Sequence, residues 1–425
     1  MKKVLLLAYD FPPFNSVGAF RPYAWMKYFH EFGVYPFVVC RNWDEIGHQP
    51  SLYTKPSLQK EAIVETTPVY TLIKAPYRGN FRDRLIYSHG IKSGLIRKLL
   101  SLIYSIWEFH SLRCDARSEI FYEAEKVISN NKIDFIIASG EPFVLFRYAH
   151  LLSKAHNIPW IADYRDAWTT NFNMYAFNPV ERFIKAKIIR RHEKMIVSSA
   201  HLITTVSEGL VTNLRSIHFN KEIKIIMNGY FHEDFEELKK QTSQNKKMVI
   251  AYSGSLYPYQ RLEVFLDALF TLIEISGELP VEVKFYGMKL HPERKKSIIE
   301  KHPQFEKYCS FIPVLPRREL LEKLVEADVL LLLANEKIDG SCAKVFEYIV
   351  LQKPILLSVN DHATLETLLK SNKNAYLCEN TAEVANALRS LLREKTETGQ
   401  IQSFEFDYFA YSRRNQTEKL AALLQ

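Results

Sequence analysis

Cysteine is scarce in this chain of 425 residues: Cys40, Cys114, Cys309, Cys342 and Cys378 are odd in number and widely scattered, with no close pair. That spacing excludes a disulfide framework and a cysteine-based zinc site, and it suits a reducing compartment. The expected location is therefore the cytoplasm, with no metal. A large excess of one charge is also missing, since 56 Lys and Arg stand against 48 Asp and Glu, a formal +8 spread along the chain. Without a matching motif this balance gives no ground for a nucleic-acid partner, whereas a phosphate-bearing ligand or an anionic membrane accounts for it. No apolar run reaches the roughly 20 residues that a membrane-spanning helix needs. The opening segment Met1 to Ala8 is apolar enough to resemble a leader, but Asp10 and the pair Pro12-Pro13 cut it short, so it reads as a buried strand. Low-complexity tracts and short repeats are absent as well.

What is present is alternation. Short β-like runs at Val4 to Ala8, Pro36 to Cys40, Ile133 to Ser139, Trp160 to Ala162 and Leu202 to Val206 are each followed by a polar turn and an amphipathic segment. The pattern pauses at Glu236 to Lys247, a stretch poor in apolar residues, and restarts at Met248 to Gly254, continuing through Val281 to Tyr286, Val329 to Leu333 and Ile355 to Leu357. Strands alternating with helices predict parallel sheets covered by helices. The expectation is an α/β protein of two Rossmann-like domains facing across a cleft: residues 1–235, a linker at 236–247, and 248–407. Open sheets of this kind place ligands at the carboxyl ends of their strands.

The segment Asp339-Gly340-Ser341-Cys342-Ala343-Lys344-Val345-Phe346-Glu347-Tyr348 follows such a strand and opens a helix. Backbone N–H groups at a helix N-terminus favour anions, so Ser341, Cys342 and Ala343 can seat a phosphate beside the Lys344 ammonium. Asp339 and Glu347 flank that seat and can accept hydrogen bonds from sugar hydroxyls on either side. A nucleotide-sugar has this layout of ribose, diphosphate and sugar. The competing reading is a helix capped by Ser341, with Lys344 and Glu347 on its solvent side.

Three other loops follow strands. In Asp10 to Ala19, Gly18 offers positive φ and close backbone approach, with a helix expected from Arg21 or Pro22; simple turn chemistry is the alternative. Asp163-Tyr164-Arg165-Asp166-Ala167-Trp168 carries charges suited to acceptor hydroxyls, or to a helix cap and a local ion pair. Gly254-Ser255 opens the second domain, and Arg261 can clamp a diphosphate or stand as a surface charge on a first turn. Separately, Lys74 to Lys98 is basic and runs into the apolar Leu99 to Trp107. This suits either an interfacial helix on an anionic leaflet or a core helix with a solvated basic flank. The related run Arg182 to Arg191 reads as an ordinary amphipathic helix.

Together the Pro-Pro loop ending at Gly18 with Arg21 beyond it, the Asp163 to Trp168 segment, the Gly254 loop, and Lys344-Val345-Phe346-Glu347-Tyr348 ahead of Lys353-Pro354 resemble the family 4-like glycosyltransferases of the GT-B fold, in matching order. The resemblance implies retaining, metal-independent transfer from a UDP-, GDP- or other nucleotide-sugar to a glycan or lipid-linked acceptor. It places Glu347 on the ribose and Asp339 near the donor sugar, with Lys344 and Arg261 neutralising the departing diphosphate. Gly18, Gly254, Ser255, Ser341, Cys342 and Ala343 then complete the donor seat, and Arg21, Asp163, Arg165 and Asp166 face the acceptor. Fold analogy sends the tail, 408–425, back onto the first domain. The chain departs from the family at Asp339, where Glu is frequent, at Ser255, where Arg is frequent, and at Gln260, where Lys is frequent. His150 lies in a helical pattern and reads as structural, so the histidine that some members place at the reacting centre has no counterpart. The role expected is surface polysaccharide synthesis at the inner leaflet, with peripheral contact to an anionic membrane and no nucleic acid. The alternatives are a nucleotide-sugar epimerase of the same fold and a non-catalytic nucleotide-sugar-binding scaffold.

Overall fold

The computed structural model describes residues 1–45, 50–89, 99–101, 103–104, 107–170, 183, 185–236, 238, 246–334 and 343–425. They form two compact α/β units, Met1–Asn228 with Arg413–Gln425, and Gly229–Ser412. The chain thus passes to the second unit at Asn228, ahead of the apolar-poor stretch 236–247, of which 237 and 239–245 lie outside the described residues.

In the first unit, the strands are β1 (Lys2–Leu7), β2 (Val34–Arg41), β3 (Ile63–Thr66), β4 (Thr71–Ala75), β5 (Phe135–Gly140), β6 (Trp160–Tyr164), β7 (Leu202–Thr205) and β8 (Ile223–Ile225). Among the described residues they form one sheet in the order β3-β4-β2-β1-β5-β6-β7-β8. Every pairing is parallel except β3 with β4. The run Val4-Leu5-Leu6-Leu7 is apolar throughout because helices cover both faces of the sheet. Leu5 and Leu7 enter one core with Ile120 and Phe121 of the helix Ser118–Asn130, while Val4 and Leu6 enter another with Trp25, Phe29, Leu420 and Leu424. The latter core joins helix α1 (Val17–Tyr28) to the C-terminal helix Arg413–Ala422, whose end is held by a hydrogen bond from Lys2 Nζ to the Leu424 carbonyl.

The second unit contains β9 (Met248–Ser253), β10 (Val281–Tyr286), β11 (Cys309–Ile312), β12 (Val329–Leu332), β13 (Ile355–Leu357) and β14 (Ala375–Leu377). Their order among the described residues is β11-β10-β9-β12-β13-β14, all parallel. Parallel strands of this kind end together on one edge, so the turns after β9, β10 and β11 share the carboxyl edge with the segment that follows β12. Asp328, buried just before β12, anchors this sheet by accepting from the Val249 N–H at 2.8 Å and from Lys395 Nζ at 2.9 Å.

Candidate functional site

At the carboxyl edge of the second unit, Gly254 follows β9 with φ +98° and Gly287 follows β10 with φ +74°. Both backbones are in the left-handed region that glycine adopts without penalty. The two are also close, for a β-carbon built on Gly287 would stand 4.0 Å from the Gly254 Cα and 3.4 Å from Val314 Cγ2. A β-carbon on Gly254 would stand 3.3 Å from Lys344 Nζ. That ammonium also lies over the Tyr252 ring, 3.7 Å from its centroid. Lys344 is the first residue of helix α2 (Lys344–Leu351), whose N-cap Ala343 supplies no side-chain hydrogen bond to the first turn. One turn on, the Tyr348 hydroxyl accepts from the Ser253 N–H at 3.0 Å, which ties the helix to the end of β9. The glycine turn, the lysine and the helix start therefore converge. Asp339, Ser341 and Cys342 lie outside the described residues.

Glu347 does not stand alone. Its Oε1 accepts from Arg317 Nη1 at 2.7 Å, and Arg317 in turn donates through Nε to Asp234 Oδ2 at 2.7 Å. Neither Arg317 nor Asp234 stood out in the sequence, because each is an ordinary first-turn charge until the fold brings three distant segments together. Arg261 stands at the end of the loop that Gly254 opens. It is the exposed N-cap of the helix Leu262–Ser276 and lines a groove of about 950 Å³ with Lys289, His291 and Arg294, and Lys344 is not part of that lining. Its backbone N–H donates to the Ala334 carbonyl at 3.3 Å, just past β12. Gln260, where the resembling family frequently has a lysine, is buried and spends its amide on the Leu333 carbonyl at 2.9 Å. Ser255 is exposed and its carbonyl accepts from the Tyr252 hydroxyl at 2.8 Å.

In the first unit the expected acceptor residues separate into two groups. Arg21 and Asp163 are 1% and 0% exposed and bind each other, with Nη2 to Oδ1 at 2.7 Å and Nε to Oδ2 at 3.0 Å. The remaining capacity is spent inside: Arg21 Nη1 donates to the Ile226 carbonyl at 2.6 Å, and Asp163 accepts from Ser139 and Thr204 at 2.9 and 2.7 Å. This corrects their assignment to the acceptor, since neither presents surface to one. The pair instead locks α1 onto β6.

Arg165 and Asp166 do emerge at the carboxyl edge, paired at 3.1 Å between Nε and Oδ2. Gly18 is corrected too. It lies inside α1, which begins at Val17 rather than near Arg21, and it is buried against the Arg165 guanidinium. A β-carbon there would stand 1.5 Å from Arg165 Nη1, so the glycine makes room for the Arg165 side chain. Asp10, at the end of β1, completes this corner by accepting from Ser16 Oγ at 2.9 Å and from the Tyr53 hydroxyl at 2.8 Å. Burial pushes its carboxyl above the ordinary value, opposed by the charge of Arg165 and by the bonds from Tyr53 and Ser16. His150 bonds Ser199 Oγ at 2.7 Å on a helix surface, in keeping with a structural role.

Residues 233–403 match the family model described as Glycosyl transferases group 1. Among solved structures, the chain is similar to sucrose-phosphate synthase from Thermosynechococcus elongatus, at 12% identity and a TM-score of 0.57, covering 100% of this chain and 95% of that one. It is also similar to an E. coli structure described as trehalose-6-phosphate bound with UDP-2-fluoro glucose, at 12% identity and 0.57, covering 100% and 96%. Anabaena HepE in complex with UDP is similar at 13% identity and 0.53, covering 100% and 95%. No curated protein matches the chain.

Proposed function

We propose that this chain, whose residues 233–403 match the model for group 1 glycosyl transferases, is a GT-B glycosyltransferase that transfers a sugar from a nucleotide-diphosphate sugar to a hydroxyl of a glycan or lipid-linked acceptor. In this reading transfer is retaining and metal-independent and serves surface polysaccharide synthesis, with the protein peripheral at the inner leaflet. The observation that carries it is the Lys344 ammonium beside Gly254 at the start of a helix whose N-cap, Ala343, has no side-chain acceptor for the first-turn N–H groups. As the glycosidic bond breaks, charge grows on the leaving diphosphate. A fixed cation and helix N–H groups stabilise that charge most where it develops, and so they lower the barrier rather than only binding substrate. Glu347, held by Arg317, retains acceptor capacity for a ribose hydroxyl. At the first unit, Asp10, Arg165 and Asp166 offer the polar groups for acceptor hydroxyls. Arg261, exposed at the N-cap of the helix that follows the Gly254 loop, is the second cation of the diphosphate clamp in this reading. The donor base to test first is uracil, because HepE and the E. coli structure are both described with uridine ligands.

The test is a thermal-shift series with UDP, GDP, ADP and their sugars on the wild type and Lys344→Met, since a ligand of the folded state raises its stability. A shift with one nucleotide-sugar that falls at least about tenfold in apparent affinity in the variant is expected, a loss of about 1.4 kcal/mol. Wild type and variant shifting alike would remove the assignment. Product formation unaffected by EDTA tests metal independence, and the anomeric configuration of the product tests retention.

A further inference from the structure

The turn that begins at Trp107 and the helix Arg190–Val197, with the π turn Lys185–Ile189 before it, meet on the surface of the first unit; residues 90–98, 102, 105–106, 182 and 184 of the two basic and apolar stretches lie outside the described residues. The helix Arg190–Val197 turns Glu193, Ile196 and Val197 inward. Glu193 is fully buried and accepts from the Tyr164 hydroxyl at 2.9 Å, so the helix's one acid is spent in the interior. Arg190, Arg191, Lys194 and Met195 point outward and are exposed, as are Lys187 and Ile188 in the single π turn before them. Met195 is 55% exposed and Phe183 is 66% exposed, far beyond what a core-packed amphipathic helix would show.

The intermediate residue His192 stacks on Phe109 at 5.7 Å and meets His110 edge-on at 4.8 Å. This contact sets the turn that begins at Trp107, itself 53% exposed, beside the helix. None of the four cations Lys187, Arg190, Arg191 and Lys194 has an ion pair among the described residues. Cations with exposed Trp, Ile, Met and Phe, and with the neighbouring acid withdrawn, match the headgroup region of an anionic bilayer in both charge and polarity.

We propose that this face, built on Lys187 to Met195 with Phe183 and Trp107 beside it, docks the protein on a bilayer of anionic lipids. The proposal deepens the peripheral-membrane part of the function above by assigning its surface. The four cations lie at the headgroup phosphates and the apolar side chains enter the interface. One Lys or Arg near an anionic surface strengthens attachment roughly fivefold, so the set supplies most of the binding and makes it salt-sensitive.

The experiment is co-sedimentation of the full chain with phosphatidylcholine vesicles, with or without phosphatidylglycerol, at low and high salt. Binding only to the anionic vesicles, and lost at high salt, is expected. Lys187→Glu, Arg190→Glu, Arg191→Glu and Lys194→Glu combined should lower it at least about tenfold, and Trp107→Ser with Met195→Ser should lower it while leaving the net charge unchanged. A control reversing Lys296, Lys301, Lys307 and Arg389 in the second unit carries the same charge change and should retain binding. Equal binding to both vesicle types, or an equal loss in the control, would overturn the proposal. Nucleotide thermal shifts on the same variants report folding. Their absence in the wild type would count against the donor reading, while the vesicle result stands by itself.

Discussion

Lys344 reaches across the carboxyl edge of its sheet to lie against Gly254, its Nζ 3.3 Å from the place where a β-carbon on that glycine would be. The glycine is therefore doubly constrained, by its backbone at φ +98° and by the lysine it faces. Gly254→Ala is expected to lower stability by about 1–2 kcal/mol through the left-handed backbone. It should also weaken the donor by about tenfold or more by displacing the ammonium, a loss of at least about 1.4 kcal/mol. Urea midpoints and nucleotide titrations on the one variant measure the two effects separately.

Lys344→Met removes the charge and keeps most of the side-chain volume against Tyr252. Its expected effect falls on turnover, with kcat reduced by about 100-fold or more, the size seen when a preorganised donor at a developing charge is lost. Stability should stay within about 1 kcal/mol of wild type, as for a partly exposed position. A fall in KM-controlled binding with kcat unchanged would contradict the transition-state role.

Arg317 holds Glu347 and Asp234 at once, with contacts of 2.7 Å to each. Arg317→Ala should release the Glu347 carboxylate and weaken the donor by roughly tenfold, about 1.4 kcal/mol. Arg317→Lys, which lacks the two-sided fork, is expected to recover only part of that loss. Isothermal titration with the best nucleotide from the thermal-shift series checks both.

For Arg21 and Asp163 the expectation is structural. Breaking this buried pair with Arg21→Met or Asp163→Asn leaves a partner without its counterpart and should cost on the order of 3–5 kcal/mol. Chemical denaturation shows whether that happens. At temperatures where the variants remain folded, KM for the acceptor should match wild type, and a selective rise in it would return these residues to the acceptor site.

Glu108 gives a pH dependence. Burial pushes its carboxyl up from 4.5 to about 7, with Arg117 opposing and Asp115 adding to the rise. A carboxyl with a higher pKa folded than unfolded holds more protons when folded, so its stabilising contribution is full below the ordinary value of 4.5 and is lost as the pH rises through about 7. Glu108→Gln keeps an acceptor for Arg117 and removes the titration. Wild type should lose on the order of 1–3 kcal/mol relative to the variant across that window, at about 1.4 kcal/mol per unit of pKa. Parallel urea midpoints against pH would show that the group does not control stability.

The central strands were legible because parallel strands covered on both faces are written as continuous apolar runs. Val281 to Tyr286 and Ile355 to Leu357 were read with the bounds the structure has. Edge strands were not. Ile63–Thr66 is exposed along its length, and Ile223–Ile225 is short, so neither carries a burial pattern. At the site, the glycine and the lysine were visible from chain order, since each follows or opens an element at the ligand-bearing edge. The start of α1 was misplaced because Ser16, which caps it by accepting from the Ala19 N–H at 3.1 Å, was hidden in a loop rich in proline. Arg21 and Asp163 looked like site residues because a buried ion pair and an exposed one have the same letters. Only the fold separates Asp163, buried within strand β6, from the exposed Asp166 three residues later.

The core formed by Trp25, Phe29 and Val4 contains Leu420, Ala421 and Leu424 from the far end of the sequence. During synthesis on a ribosome, the first unit therefore emerges with one apolar face of its sheet still open, and the whole second unit must follow before that face is sealed. Leu420, Ala421 and Leu424 act as a closing wedge against Val4 and Leu6, so cleavage near Ser412 is a means of exposing that face.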